Sequence, residues 1–272
     1  MNTFNFNRFA KLLGKELKEY PRRFGYSILG VTMVYLLYRA VFLFFPNMGT
    51  DSVSKYLFMV YWILVIILIV VPSKCYGTAN HRTYGVDYAL LPASAFEKML
   101  SMFVVNYVVS LVSVFVCLEG VDLAAYLINP ERAGLPTVCY LGSGAFVTMQ
   151  LLSLFLLSAE FSLGNMLFSK NKISKTILCL FAIGAFFAVG IGIVISHIGI
   201  DTMTAYLENW FGAANTPDEI MNLDADNLRD VLSSLTGWRP VRIFLWGSYL
   251  YNGVCGLLCW FFTYRMIKTV KY

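Results

Sequence analysis

The chain has 272 residues, of which 58% are hydrophobic and only 14% charged, and its mean hydropathy is +0.65. So little polar surface cannot clothe a water-solvated domain of this size, which excludes an ordinary soluble enzyme and leaves no room for a second soluble domain. The formal net charge of +5 is gathered in clusters between apolar runs instead of along one basic face, which excludes a nucleic-acid reading surface.

At the N-terminal end, residues 4–23 carry Phe6, Phe9, Leu13, Leu17 and Tyr20 at spacings of three and four. Arg8, Lys11, Lys15, Lys18 and Arg22 follow the same spacing on another face. The pattern predicts an amphipathic helix lying in the membrane interface, aromatics in the acyl boundary and bases among anionic headgroups. A plain charged anchor for the next segment accounts for the same residues. Pro21 is expected to break this helix before the chain turns into the bilayer.

Six apolar runs follow, at 24–45, 56–71, 99–118, 138–163, 176–197 and 241–264. Crossing a hydrocarbon core of roughly 30 Å takes about 20 helical residues, so each run is a candidate span. The first run is too long for a signal-peptide core and no small-residue cleavage site follows it, so it is expected to stay as a signal anchor. Fifteen Lys and Arg residues fall on the N-terminal tail, the even-numbered connections and the C-terminal tail, against five on the other side. The positive-inside bias puts both termini in the cytoplasm. The sequence therefore predicts an all-α, polytopic membrane protein with six transmembrane helices.

The second connection, residues 73–98, reads SKCYGTANHRTYGVDYALLPASAFEK. It is too polar for the bilayer core. Ser94 and Glu97 fit a capping box, and Pro92 discourages helix upstream, so a helix is expected to start near Ser94 and run into the third span. A connection of this length can hold a short helix beneath the membrane on which a partner pushes; a solvated loop fits equally.

Residues 199–240 form the fifth connection, rich in acid. Thr216 and Glu219 make a second capping box with Pro217 at the first helical position, and Asp226 is placed to cap residues 227–235 before Gly237. A small helical outer cap is expected. The segment lacks the alternating Asp/Asn, Gly and Glu pattern of a calcium loop.

Within the spans, Arg39, Asn106, Glu119, Gln150 and Glu160 are the polar residues that need an account. Arg39 and Glu119 are expected at similar depth near the outer ends of spans one and three, where they can pair. Either these side chains line a substrate route, or Arg39 snorkels outward while Asn106 and Glu160 hydrogen-bond between helices. Gly184, Ala188 and Gly192 mark a close-packing face on the fifth span. Cys75, Cys117, Cys139, Cys179, Cys255 and Cys259 show no metal-site spacing, and the pair Cys255 and Cys259, one turn apart, reads as packing filler. No phosphate loop, zinc motif, nucleophile elbow or Cys-x-x-Cys pair occurs, so no cofactor or metal and no catalytic residue is expected.

In its order of parts the chain resembles a bacterial type-2 ABC transporter permease, the class that includes polysaccharide and drug exporters. The parts are a basic N-terminal helix, six spans, a coupling segment after the second and an outer insertion before the sixth. The stretch YALLPASAFEK at 88–98 is similar to a segment of one branch of these permeases. The resemblance implies a connecting helix at 4–20 and an inner-membrane location. It also implies docking of part of residues 75–93 on a separate ATP-binding cassette ATPase subunit, with His81, Arg82, Tyr84, Asp87 and Tyr88 as the coupling residues. A dimer of permeases, opening alternately to each side, is implied as well. The acidity of the outer insertion departs from the family, whose insertion dips back into the membrane. A membrane scaffold, or an intramembrane enzyme of unfamiliar type, is the competing expectation.

Overall fold

The computed structural model describes residues 4–44, 53–77, 79, 88, 90–130, 144–198 and 239–269. These are all-helical, with no strand among them. The helices are α1 (Phe6–Phe44), α2 (Val53–Tyr76), α3 (Ala95–Ile128), α4 (Gly144–Leu167), α5 (Lys172–Ile198) and α6 (Arg239–Thr269). The first five are long and apolar enough to cross a membrane. α6 has 31 residues, also ample length to cross. Six spans were expected; among the described residues five helices have the length and apolarity to cross. The outer cap, with Thr216, Glu219 and Asp226, lies outside the described residues.

The break expected at Pro21 is absent. α1 is one helix of 39 residues with Pro21 inside it, about 58 Å long at 1.5 Å per residue. An interior proline removes the donor for the carbonyl four residues back and costs about 3 kcal/mol. Packing on both sides of it outweighs that cost. Tyr20 and Phe24 are buried in the core, the Tyr20 hydroxyl donates to Ser110 Oγ on α3 at 3.0 Å, and Glu19 and Arg23 pair across the proline at 2.6 Å. α2 likewise continues through Pro72 to Tyr76.

The capping box forms as expected. Ser94, with extended backbone, accepts from the Glu97 N–H at 3.2 Å, and Glu97 Oε2 accepts from the Ser94 N–H at 2.8 Å. α3 then runs ten residues past the apolar run that announced it, to Ile128. It contains one π-helical segment, Val104–Val109. There the Val105 carbonyl accepts both from the Ser110 backbone N–H and, at 2.8 Å, from Ser110 Oγ.

Phe24, Tyr35, Leu68, Val71, Met102, Val114, Leu118 and Met166 form the core between α1, α2, α3 and α4. α4 and α6 approach so closely that a methyl on Gly256 would run into the Phe155 ring. α5 differs. Only 6% of its apolar window is buried, and it is held near its first turn, where Gly164 leaves room for Thr176. Its Phe181, Phe186, Phe187 and Ile193 are exposed, the distribution expected where lipid is the solvent.

Candidate functional site: a polar junction at the basic end of the bundle

The ends of α1, α2, α3, α4 and α5 that carry the basic residues meet in a network of buried polar groups. Its centre is the last turn of α2. A helix C-terminus leaves carbonyls without intrahelical donors, and three consecutive ones are met here by side chains from three other helices. Arg23 Nη1 of α1 donates to the Cys75 carbonyl at 2.7 Å. Asn165 Nδ2 of α4 donates to the Tyr76 carbonyl at 3.0 Å. Lys172 Nζ of α5 donates to the Gly77 carbonyl at 2.8 Å, and also to the Asn165 carbonyl at 2.9 Å. Cationic donors suit the negative end of the helix dipole. The segment that enters the second connection is therefore tied to α1, α4 and α5.

Two glutamates fasten α1 to its neighbours. Glu16, eight residues before the apolar run of α1, accepts from the Tyr76 hydroxyl at 2.5 Å and from Ser101 Oγ. Burial pushes its carboxyl above the ordinary carboxylate range, against the opposing pull of the Ser101 and Tyr76 hydroxyls and of Arg23. Glu97, before the apolar run of α3, does more than cap. Its Oε1 accepts from the Asn5 N–H at 2.7 Å and from Arg8 Nη2 at 3.0 Å, so it pins the start of α1. Burial works to raise its carboxyl, but the N–H groups of Ser94 and Asn5 and the Arg8 guanidinium outweigh it and hold it below the ordinary range. Between these groups lies a cavity of about 140 Å³ lined by Glu16, Glu19, Arg23, Cys75, Tyr76 and Tyr88.

Of the expected coupling residues, His81, Arg82, Tyr84 and Asp87 lie outside the described residues. Tyr88 sits in the junction, its ring edge-on to Tyr76 at 6.1 Å and its carbonyl accepting from Lys98 Nζ at 2.8 Å. Of the expected interface bases, Arg8 is committed to Glu97, while Lys11, Lys15 and Lys18 are exposed along α1.

The polar span residues separate. Arg39 Nε meets Asp122 Oδ1 at 2.8 Å, and the Tyr35 hydroxyl donates to the same oxygen at 2.7 Å. Glu119 was the expected partner; the ion pair found lies three residues further on. Asn106 reaches across to α4, as expected, but its Nδ2 donates to Ser162 Oγ at 3.1 Å and not to Glu160. Gln150 is exposed, and Glu160 is half-buried on α4. Sequence reading missed Glu16, Arg23, Asp122, Asn165 and Lys172 as site residues. Asp122 had a signal: it follows the buried Val114 and Leu118 at four-residue spacing.

Comparison with protein-family models, with curated proteins and with solved structures finds no match to this chain.

Proposed function

We propose that the chain is the membrane-spanning permease subunit of an ATP-driven exporter in a bacterial inner membrane, acting as one of two permease copies with a separate ATP-binding cassette ATPase. The observation that carries this reading is the grip on the consecutive carbonyls of Cys75, Tyr76 and Gly77, at and just past the end of α2, by Arg23, Asn165 and Lys172. An element pushed from outside transmits force only if it is joined stiffly to the elements that must move. Here the start of the second connection is joined to three helices at once, as a coupling segment requires. The basic residues at this end favour its placement in the cytoplasm with both chain termini. α6 completes six spans in this reading, and residues 199–240 form the outer cap.

The test is biochemical. The detergent-solubilised protein is expected to co-purify with an ATPase carrying a phosphate loop. Replacing residues 82–88 with a Gly/Ser stretch should leave the helices folded while uncoupling the ATPase from the permease. If no ATPase co-purifies, or its activity ignores that replacement, the chain is a membrane scaffold and not a coupled permease.

A further inference from the structure

α1 continues unbroken through Pro21, so its basic turns stand on the end of the first span. There they run beside the start of α3. Arg8 meets Glu97 at 3.0 Å, and Glu16 accepts from Ser101 Oγ. On α1 these two contacts bracket Lys11 and Lys15. On α3 they bracket Met99, where the apolar run of that helix begins. Lys11 and Lys15 therefore stand at the level where hydrocarbon gives way to headgroups.

A groove of about 180 Å³ opens at this level, between α1 and the segment that leads into α3. Arg8, Lys11 and Lys15 line one side of it, and Leu91 and Pro92 the other. Leu12, which is buried, lies between the two. A neighbouring hollow shares Lys11 and Lys15 and adds Lys18. None of the described residues lining the groove is acidic. The carboxylates closest to these bases are already engaged: Glu97 by Arg8, and Glu19 by Arg23 at 2.6 Å, with Lys15 at 3.9 Å. The ion pairs among the described residues involve neither Lys11 nor Lys18.

Cationic side chains facing an apolar wall at headgroup depth suit a guest with phosphate at one end and hydrocarbon at the other. A zwitterionic headgroup would bring its own ammonium against the lysines, so a net negative one fits better. A soluble phosphate would leave Leu91 and Pro92 without a role. We propose that this groove binds one anionic phospholipid, its phosphate between Lys11 and Lys15. The glycerol and first methylenes lie against Leu12, Leu91 and Pro92. The site rests on the membrane location of the chain and not on the permease reading. Leu91 and Pro92 belong to the second connection, so a lipid seated there bridges that connection to α1.

The full chain in a non-ionic detergent is titrated with dioctanoyl phosphatidylglycerol, and bound lipid is counted by native mass spectrometry. One phosphatidylglycerol per chain is expected to bind first and saturably, with dioctanoyl phosphatidylcholine at least about tenfold weaker. K11Q/K15Q should weaken phosphatidylglycerol by at least about tenfold. K170Q/K268Q, which removes two other exposed lysines, should leave it within a few-fold. Equal binding of the two lipids, or equal weakening by the two double variants, overturns the site. Excess inorganic phosphate should not displace the lipid; displacement would give the groove to a soluble anion and overturn the lipid assignment. Should K11Q/K15Q fail to fold, acetic anhydride labelling of the wild type decides. Phosphatidylglycerol should slow acetylation of Lys11 and Lys15 but not of Lys170 and Lys268, and unchanged rates overturn the proposal.

Discussion

Arg39 and Asp122 meet at 2.8 Å between α1 and α3 with only 5% and 1% of their side chains exposed, and Tyr35 donates to the same carboxylate oxygen. A pair taken out of solvent is a poor source of net stability, because desolvation offsets the attraction. Its value appears when one member is lost and the other is left charged. R39Q or D122N alone should therefore destabilise the detergent-solubilised protein by about 3–5 kcal/mol. The double change to leucines should lose much less than the two singles added together. Thermal unfolding of the three variants checks this, and additive losses would show that the two residues do not act as a pair.

Gly256 fixes how near α6 comes to α4. G256A should drive its methyl into the Phe155 ring and destabilise the protein by about 1–3 kcal/mol, the usual cost of overpacking. Gly253, with open space around it, provides the control: G253A should be neutral or slightly stabilising. The F155L change should restore much of what G256A loses. Equal behaviour of the two alanine variants would mean the helices do not cross there.

Pro21 is a liability that its neighbours carry. P21A returns an N–H for the Leu17 carbonyl, so the melting temperature should rise, by roughly 2 kcal/mol of stability once the looser unfolded chain is allowed for. A fall would mean that the proline sets a bend on which the docking of Tyr20 depends.

The carboxyl of Glu97 titrates below the ordinary range in the folded protein, so its contribution is present above the unfolded value and is lost as pH falls through the folded one. Glu16 has the opposite sign: its raised value favours the folded state at low pH and penalises it as pH rises. E97Q should thus lower the melting temperature at neutral pH and flatten its decline on acidification. E16Q should instead flatten the loss of stability that sets in as pH rises above the ordinary carboxylate range. Melting curves between pH 4 and pH 8 on the order of one unit apart separate the two; parallel curves for wild type and E97Q would exclude the lock between Glu97 and α1.

The spans were legible because hydrophobic run length needs no tertiary information, and the Ser94 capping box because it is local. Pro21 was misread because local rules price the missing hydrogen bond but not the burial of Tyr20 and Phe24 on either side. Asp122 was not foreseen as a partner of Arg39 because the apolar run stops at Leu118, whereas α3 continues to Ile128 and turns Asp122 inward. The junction around Cys75, Tyr76 and Gly77 was invisible for another reason. Its acceptors are backbone carbonyls, which carry no signature in the side-chain pattern, and its donors come from three distant segments.

α5 is fastened at its foot by Lys172 and Thr176, and beyond Leu180 its described residues are all exposed. Tilting its far two-thirds about that foot would break no packing among the described residues. The helix is in effect a boom on a pivot, whose angle is left to its surroundings, and the pivot is the same lysine that holds the Gly77 carbonyl just past α2.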